Sequence, residues 1–494
     1  YGPLAGAVRV AARRDATAVG LVDERGSLTF AQLDLRSNAL ARAWARRGVG
    51  PGTPVAALCR DHRGLVLTLL AAGKLGAPVL LMNTGFAKPQ LTAVAEREGV
   101  RVLVHDEEFG ELLADITGVD RYLAWTDTET GATDAPTLDE IIAATDDHTV
   151  PAPPKPGGLV LLTSGTTGTP KGAPRPKVSP LDSAQFLDRI PLRVGEATYM
   201  GAPLFHATGI SQFILSCALG CTVVLRRKFD AEAALAGIAE HRCTALVVVP
   251  TMLQRIVDLE PEVLARYDTA SLRVVFVAGS ALPPDVGNRA TELFGDVIHN
   301  LYGSTEVAVA TVATPRDWRR APGTVGKPPV GCRVALYDER GHRITEPGVT
   351  GRVFVGSGLA FDGYTDGRTK DIIDGLLATG DVGHFDADGL LFIDGRDDEM
   401  IVSGGENVYP VEVENILADH PEVVEAAVIG VDDAEFGQRL KAFVVLTEGA
   451  SVDAEAVREH VKRNLARYKV PRDVEFLPAL PRNATGKVLR TSLS

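Results

Sequence analysis

The segment T-S-G-T-T-G-T-P-K-G, at positions 163–172, combines residue types that could hold a phosphate group. Its glycines let the backbone turn so that several N–H groups converge on an anion, and its hydroxyls add further donors. The segment follows an apolar run at 159–162, which predicts that a strand ends there. A flexible surface loop is the alternative interpretation. The predicted phosphate-binding residues are Thr163, Ser164, Gly165, Thr166, Thr167, Gly168, Thr169 and Lys171.

The segment differs from the common phosphate loop of nucleotide hydrolases. That loop places a glycine directly before its lysine and a hydroxyl directly after it. Here Pro170 precedes Lys171 and Gly172 follows it. The physics of anion binding is similar, but the pattern predicts a different class of nucleotide-binding protein.

Further segments with polar residues at probable turns follow along the chain. In order, they are P-L-F-H at 203–206, Y-G-S-T-E at 302–306, T-G-D at 379–381, G-R-D-D at 395–398 with S-G-G-E-N-V-Y-P at 403–410, and P-R-N-A-T-G-K at 481–487. This ordered set resembles the motifs of the adenylate-forming superfamily, which comprises acyl-CoA synthetases, adenylation domains of peptide synthetases and luciferases. The resemblance spans nearly the whole chain, and the chain is most similar to bacterial fatty-acid–CoA ligases.

The resemblance implies a reaction in two halves that uses ATP, Mg²⁺ and coenzyme A. A carboxylate attacks the α-phosphorus of ATP and gives acyl-AMP and pyrophosphate, and a thiol then displaces AMP. Chemistry at phosphorus of this kind depends mainly on positioning and on neutralising charge. The phosphate-binding segment would then hold the β- and γ-phosphates and the departing pyrophosphate.

The resemblance also implies the roles of individual residues. Lys487 would bridge the carboxylate and the α-phosphate, although a lysine in such a loop is more often simply solvated. Thr305 would donate to the α-phosphate, and Glu306 would bind Mg²⁺ through a hard oxygen together with Thr167. His206 would gate or flank the acyl pocket, or it is a buried structural histidine. The remaining nucleotide contacts implied are Tyr302 on adenine, Gly303 beside it, Asp381 on the ribose hydroxyls and Arg396 on ribose or phosphate.

The two half-reactions need different groups in one place, so the resemblance implies a C-terminal domain that rotates. Its hinge residue would be Asp398. After rotation, Gly404 and Gly405 would face the site and leave a channel for the pantetheine arm of coenzyme A. The S-G-G-E-N-V-Y-P segment favours free coenzyme A as the acceptor, with an acyl carrier protein as the alternative.

The predicted acid pocket is small or apolar, and it consists of His206, Ala207, Gly209, Val249, Ala278, Gly279 and Val307. The segment around His206 contains no acidic residue that could pair with an α-ammonium group, so an amino-acid substrate would leave a costly unpaired charge. We therefore expect a fatty or other apolar carboxylic acid. An aryl acid is the alternative, and the sequence does not fix the chain length.

Composition limits the class of protein. The chain has 494 residues, a formal charge of −13 and a hydrophobic fraction of 45%. The negative charge argues against a general nucleic-acid-binding protein. Five scattered cysteines without a C-x-x-C pair predict reduced, buried thiols in a cytoplasmic protein. We expect no transmembrane helix, a monomer or homodimer, and some residues missing before Tyr1.

The elements that must position these residues follow an alternating strand and helix pattern, which predicts an α/β fold with mostly parallel sheets. The segments at 27–30, 54–58, 78–82, 159–162, 221–225, 244–249, 274–277 and 296–301 predict strands, and those at 31–47 and 65–75 predict helices. Short alternating strands over 325–393 predict a small β-rich subdomain. We therefore predict an N-terminal adenylation domain of stacked αβ subdomains at 1–396 and a small, mobile α+β domain at 397–494.

Overall fold

The structure is a computed structural model of the 494-residue chain. It describes residues 1–127, 135–163, 171–174, 187–280, 282–303, 309–356, 371–396, 401–408, 410–481, 488 and 490–493. The helices are α1 (Pro3–Arg14), α2 (Phe30–Ala45), α3 (Arg63–Leu75), α4 (Lys88–Arg97), α5 (Leu138–Ala143), α6 (Ala207–Ala218), α7 (Ala231–Glu240), α8 (Pro250–Val257), α9 (Pro261–Leu264), α10 (Pro284–Phe294), α11 (Pro315–Arg320), α12 (Pro410–Ala418) and α13 (Ala454–Asn464). Among the described residues, no helix is both long and apolar enough to cross a bilayer.

The strands form four sheets. In chain order they are β1 (Val19–Asp23), β2 (Gly26–Thr29), β3 (Val55–Leu58), β4 (Val79–Leu81), β5 (Val102–Asp106), β6 (Asp120–Trp125), β7 (Leu159–Thr163), β8 (Lys171–Pro174), β9 (Ala197–Met200), β10 (Thr222–Leu225), β11 (Ala245–Val248), β12 (Val274–Val277), β13 (Ile298–Tyr302), β14 (Thr311–Ala313), β15 (Arg333–Tyr337), β16 (Arg343–Ile344), β17 (Gly351–Gly356), β18 (Ile372–Ile373), β19 (Leu376–Phe385), β20 (Leu391–Arg396), β21 (Ile401–Ser403), β22 (Glu406–Val408), β23 (Val423–Asp433), β24 (Gly437–Leu446) and β25 (Asp473–Phe476).

Two mostly parallel sheets form the first two-thirds of the molecule. One has the order β6-β5-β3-β4-β7-β8, and the other has the order β14-β13-β12-β11-β9-β10-β1-β2. Only the pairs at the sheet ends, β7–β8, β13–β14 and β1–β2, are antiparallel. The second sheet takes its edge from the beginning of the chain, because Leu21 on β1 pairs with Val223 on β10.

Helices α1, α2, α3 and α6 lie between these two sheets. One continuous buried cluster contains residues from all four helices and from both sheets, such as Trp44 on α2, Ala57 on β3 and Val223 on β10. Burial on both faces explains why strands such as β3 and β11 are uniformly apolar. The predicted stack of αβ subdomains is confirmed.

The chain then forms two smaller units. Strands β15 to β20 make an antiparallel sheet with the order β16-β15-β17-β19-β18, and β20 pairs with β19. This sheet confirms the predicted β-rich subdomain. Strands β21 to β25 form a separate sheet covered by α12 and α13, with a buried cluster of its own. The α+β character predicted for the C-terminal unit is therefore confirmed.

Local capping explains small differences from the predicted helix bounds. Helix α2 begins at Phe30 because the Thr29 side chain accepts from the Gln32 N–H while the Gln32 side chain accepts from the Thr29 N–H. Helix α3 begins at Arg63 because the His62 side chain accepts from the Gly64 N–H. All five cysteines are buried and free of disulfides, as predicted.

Candidate active site

The carboxyl ends of three adjacent parallel strands, β11, β12 and β13, meet at one edge of the second sheet. Val249 follows β11 and lies at the N-terminus of α8, and Ala278 and Gly279 follow β12. A side-chain carbon at Gly279 would lie 3.3 Å from Val249 Cγ1, so these two predicted pocket residues are in contact. Ala278 is buried. This edge is where ligands bind in open α/β sheets.

A tight turn after β9 carries His206 to the same region. The His206 N–H donates to the Pro203 carbonyl at 3.1 Å, and the His206 carbonyl accepts the first bond of α6, from the Ile210 N–H. Gly209 packs directly against this turn, where any Cβ would lie 2.1 Å from the Pro203 carbonyl oxygen. Glycine is therefore required at position 209 for close packing. Ala207 and Gly209 accordingly lie beside this turn.

The C-terminal unit reaches this edge through the turn between β21 and β22. Gly405 adopts a φ of +83°, and a Cβ there would lie 4.0 Å from the Gly279 carbonyl oxygen. The next residue, Glu406, forms an ion pair with His206, with 2.7 Å between Oε1 and Nε2. The Asn83 side-chain amide also donates to Glu406 Oε1, at 3.3 Å. The structure therefore brings the predicted Gly404–Gly405 segment to the predicted acid pocket.

The ion pair shifts both titrations. Burial opposes the positive charge of His206, but the attraction of Glu406 and their hydrogen bond outweigh it and raise the pKa of His206. Burial likewise opposes the charge of Glu406, and His206 and Asn83 outweigh it and lower the Glu406 pKa. Both groups are consequently charged over a range that includes mildly acidic pH.

The other half of the candidate site lies where the second and third sheets meet. The Tyr302 hydroxyl, at the end of β13, donates to Asp381 Oδ2 on β19 at 2.5 Å. Asp381 is buried, and its N–H donates to the Thr379 hydroxyl at 3.1 Å. Arg396 lies opposite Asp381 in the β19–β20 ladder. This pair, an accepting carboxylate and a phenol beside Gly303, fits the hydroxyls and ring of a nucleoside.

The predicted phosphate segment begins and ends in a hairpin. Thr163 is the last residue of β7, Lys171 is the first of β8, and the two are paired. The loop is therefore shorter than predicted, because Lys171 and Gly172 belong to a strand. The remaining predicted residues of the segment, Ser164, Gly165, Thr166, Thr167, Gly168 and Thr169, lie outside the described residues.

Several other predicted residues also lie outside the described part of the chain. They are Thr305, Glu306, Val307, Asp398 and Lys487. Within the described ranges, no group of three or more His, Cys, Asp or Glu side chains could hold a metal ion. The predicted Mg²⁺ ligands, Glu306 and Thr167, lie outside these ranges.

Sequence reasoning missed four residues that the structure places at or beside this site. Glu406 belongs to the S-G-G-E-N-V-Y-P segment, so the sequence showed its motif but not its pairing with His206. Asn83 and Asp61 follow strands β4 and β3, and polar residues at strand ends were the available signal. Tyr468 packs against buried clusters of both the first sheet and the C-terminal unit, which no local pattern indicated.

Comparison with known proteins agrees with this geometry. The family described as AMP-binding enzyme matches residues 7–365, and that described as AMP-binding enzyme C-terminal domain matches residues 412–487. The chain is 34% identical to the indoleacetate–CoA ligase of Aromatoleum aromaticum over 482 residues, covering 93% of this chain and 91% of the relative. It is 31% identical to a fatty acid–[acyl-carrier-protein] ligase of Streptomyces coeruleorubidus, covering 98% and 94%.

Two solved structures of one enzyme, the o-succinylbenzoate CoA synthetase of Bacillus subtilis, give an informative contrast. A double mutant bound with a CoA product analogue superposes with a TM-score of 0.84 at 27% identity, covering 99% of this chain and 98% of the other. The complex with the acyl-adenylate intermediate superposes with a TM-score of 0.68 at the same identity, covering 99% and 97%. The chain as a whole therefore superposes more closely on the CoA-adduct complex than on the acyl-adenylate complex.

Proposed function

Because the chain belongs to the AMP-binding enzyme family and is an AMP-forming acid–thiol ligase, we propose that it activates an apolar carboxylic acid and transfers the acyl group to coenzyme A. ATP, Mg²⁺ and coenzyme A are the cofactors of this family. In the first half-reaction, a carboxylate oxygen bonds to the α-phosphorus and pyrophosphate leaves. In the second, the sulfur of the thiol bonds to the acyl carbon, AMP leaves, and the thiol proton is released.

The contact between Glu406 and His206 is the observation that carries this proposal. It joins the C-terminal unit to the acid pocket and brings Gly405 against Gly279. Small residues at this junction leave room for a slender thiol arm to reach the acyl carbon. The higher TM-score with the CoA-adduct complex supports assignment of this arrangement to the thiol-transfer half of the reaction.

The adenylation half requires a further set of groups. We assign Lys487 to the carboxylate and α-phosphate, Thr305 to the α-phosphate, and Glu306 with Thr167 to Mg²⁺. The ion, when bound, neutralises phosphate charge. The segment from Thr163 to Lys171 would hold pyrophosphate, while Tyr302, Gly303, Asp381 and Arg396 would hold the nucleoside. Rotation of the unit after 396 about Asp398 would bring Lys487 in and take Gly404 and Gly405 away.

The pocket supports a fatty or aryl acid. Its described walls, including Val249, Ala278 and Gly279, are small and apolar. The relatives named above include a ligase for an aryl acetate and a ligase for fatty acids, so both classes belong in the test. Free coenzyme A is the proposed acceptor, and the carrier-protein ligase among the relatives makes a carrier thiol the second candidate.

A panel of carboxylic acids tests the function directly. Purified enzyme, ATP and Mg²⁺ are incubated with fatty, aryl and arylacetic acids, with and without coenzyme A. We expect acid-dependent pyrophosphate release and, with coenzyme A, an acyl-CoA product identified by mass spectrometry. Pyrophosphate release without any acyl-CoA would favour a carrier-protein acceptor. No release with any acid would contradict the proposal.

The roles assigned to the two domain arrangements make a sharper prediction for Lys487. Lys487→Ala should reduce adenylation by at least about a hundredfold, since it removes a positive charge from the transition state. Conversion of supplied acyl-AMP and coenzyme A to acyl-CoA should remain within a few-fold of the wild-type rate. An equal loss of both half-reactions would overturn the two-arrangement assignment.

The proposal extends to the cellular setting and the assembly of the enzyme. We propose a cytoplasmic enzyme, which the five free and buried thiols support. We also propose that the chain works as a monomer or homodimer, because the candidate site is built from one chain. Sedimentation of the purified protein would distinguish the two.

A further inference from the structure

Asp61 is a buried carboxylate that the mechanism above does not use. It follows β3, a strand of the first sheet, and the residue is 6% exposed. Its two oxygens both accept from the Leu204 N–H, at 3.1 and 3.3 Å. Leu204 is inside the turn that ends at His206, so Asp61 reaches from one sheet to the turn of the other.

The neighbours of Asp61 on its own segment have partners elsewhere. The Arg60 guanidinium pairs with Glu108, and the Arg60 N–H donates to Asp106 Oδ2. The His62 ring bonds to Asp106 Oδ1 at 2.8 Å. The pKa of Asp61 is influenced by the charges of Arg60, Asp106 and His206. Asp61 in turn influences the pKa of Cys59. His206 is the member of this set that belongs to the candidate site.

His206 consequently lies under the influence of two carboxylates. Glu406 arrives with the C-terminal unit, whereas Asp61 belongs to the same domain as the turn. If the C-terminal unit rotates as proposed, Glu406 leaves and Asp61 stays. The turn therefore keeps one acidic neighbour in both arrangements.

We propose that Asp61 is a positioning residue for His206: it holds the turn through Leu204 and, when ionised, supplies a resident negative charge that favours the cationic imidazole which receives Glu406. This inference rests on the proposed function, since it describes how the thiol-transfer arrangement is recognised. Asp61 acts through His206 and the turn and has no assigned contact with a substrate.

The direction of the titrations agrees with this role. Burial raises the pKa of Asp61 to about 7, with the Leu204 N–H, His206 and Arg60 opposing the shift and Asp106 adding to it. The negative charge of Asp61 in turn helps to raise the pKa of His206. As pH rises through neutrality, Asp61 gains its charge where an isolated imidazole would be losing its proton. The range over which His206 remains charged is thereby extended upward.

Asp61→Asn separates this role from a purely structural one. Asparagine keeps an oxygen that can accept from the Leu204 N–H but never carries the negative charge. If Asp61 serves only as a hydrogen-bond acceptor, the His206 titration should be unchanged in this variant. If Asp61 acts through its charge, the His206 pKa should be lower.

The test is an NMR titration of histidine side chains in the full-length protein, with the His206 signal assigned by its loss in His206→Asn. We expect the His206 midpoint to move to lower pH in Asp61→Asn and to stay at its wild-type value in the matched control Asp285→Asn, whose side chain is 77% exposed. An unchanged midpoint in Asp61→Asn would overturn the proposal. If Asp61→Asn does not fold, the reciprocal measurement decides: the Asp61 carboxyl pKa should rise in His206→Asn, and an unchanged value overturns the proposal.

Activity adds a second readout. The rate of acyl-CoA formation from supplied acyl-AMP is measured against pH, and its alkaline limb should move to lower pH in Asp61→Asn. If the alkaline limb of Asp61→Asn coincides with that of an active wild type, the role proposed for the Asp61 charge is contradicted. The NMR titration needs no substrate, so it distinguishes failure of this inference from failure of the proposed ligase activity, in which the wild type itself would be inactive.

Discussion

At the scale of single residues, the candidate site depends on charges that belong to different domains. His206 and Glu406 lie 200 positions apart in the sequence, from 206 to 406, and meet at 2.7 Å. Their side chains are 34% and 21% exposed, so solvent screens part of their attraction. A partly exposed pair of this kind can form and break as the proposed domain rotation requires, which a fully buried pair would resist.

Glu406→Gln should slow acyl-CoA formation from supplied acyl-AMP by roughly fivefold, because a partly exposed ion pair is worth on the order of 1 kcal/mol. Pyrophosphate release should change less, since Glu406 has no proposed role there. Steady-state assays of each half-reaction measure both effects. Glu455→Gln, on a carboxylate with a 73% exposed side chain in the same domain, is the control. Equal losses in both half-reactions would contradict the assignment.

The same pair predicts a pH dependence. The docked arrangement raises the His206 pKa above its usual value of 6.5, so the stabilisation of docking is fully present below 6.5 and is lost as pH rises through the raised value. The lowered Glu406 pKa sets the acid limit, below its usual value of 4.5. In the wild type, acyl-CoA formation should fall on the alkaline side through loss of docking. Glu406→Gln should flatten that limb, and an identical limb in the variant would be evidence against it.

At the scale of elements, a buried ion pair supports the C-terminal unit. Lys469, in the turn after α13, pairs with Glu412 on α12, and neither side chain is exposed. Burial raises the Glu412 pKa, while Lys469 opposes the shift. The pair ties the turn that carries Tyr468 to the body of the domain. That turn also contacts the first sheet, where the Arg467 N–H donates to the Gly85 carbonyl at 3.1 Å.

Lys469→Met should destabilise the C-terminal unit by about 3–5 kcal/mol, because it leaves Glu412 buried without its counter-charge. Chemical denaturation followed by circular dichroism would measure the loss. The double variant Lys469→Met with Glu412→Leu should recover most of it, since both charges are then gone. A double variant as unstable as the single one would show that packing, and not charge, is the cause.

The elements also show how far the sequence alone could lead. Parallel strands such as β11 and β12 were predictable from short apolar runs, and the β-rich unit from alternating strands such as β15 at 333–337. The ordered motifs predict which strand ends carry the nucleotide and acid sites, and these assignments stay predictions. The hydrogen bond between Tyr302 and Asp381 and the pairing of His206 with Glu406 were not predictable, because each joins different sheets. For Asp61 the sequence offered only its position after a strand, since its partner is a backbone N–H 143 positions away.

At the scale of the whole molecule, the C-terminal unit docks through a second contact besides Glu406. Ala466 is completely buried within the cluster of the first sheet, although it belongs to the segment that leaves α13. Tyr468 packs against the same cluster and against that of its own domain. The C-terminal unit therefore buries apolar surface against the first sheet in addition to forming the ion pair between Glu406 and His206.

Ala466→Lys should oppose this docking, because a long cation cannot enter the apolar cluster without a large desolvation cost. We expect acyl-CoA formation from supplied acyl-AMP to fall by at least about tenfold, with a smaller effect on pyrophosphate release. Small-angle X-ray scattering should show a greater share of other domain arrangements. Ala456→Lys, at an exposed position on α13, is the matched control. Normal thiol transfer in Ala466→Lys would contradict the docking role.

The pairing of β1 with β10 has a consequence for how the protein is made. Leu21 and Val223 are partners in the second sheet although they lie 202 positions apart in the sequence. At a synthesis rate of about 5–20 residues per second, the ribosome needs roughly 10–40 s to deliver the second partner. During this interval the β1–β2 hairpin has been made, but β10, the strand that pairs with β1, has not. The first sheet, by contrast, is complete once residue 174 has been made. The nascent chain can therefore finish the first sheet before β1 and β2, which are made earlier, pair with the rest of the second sheet.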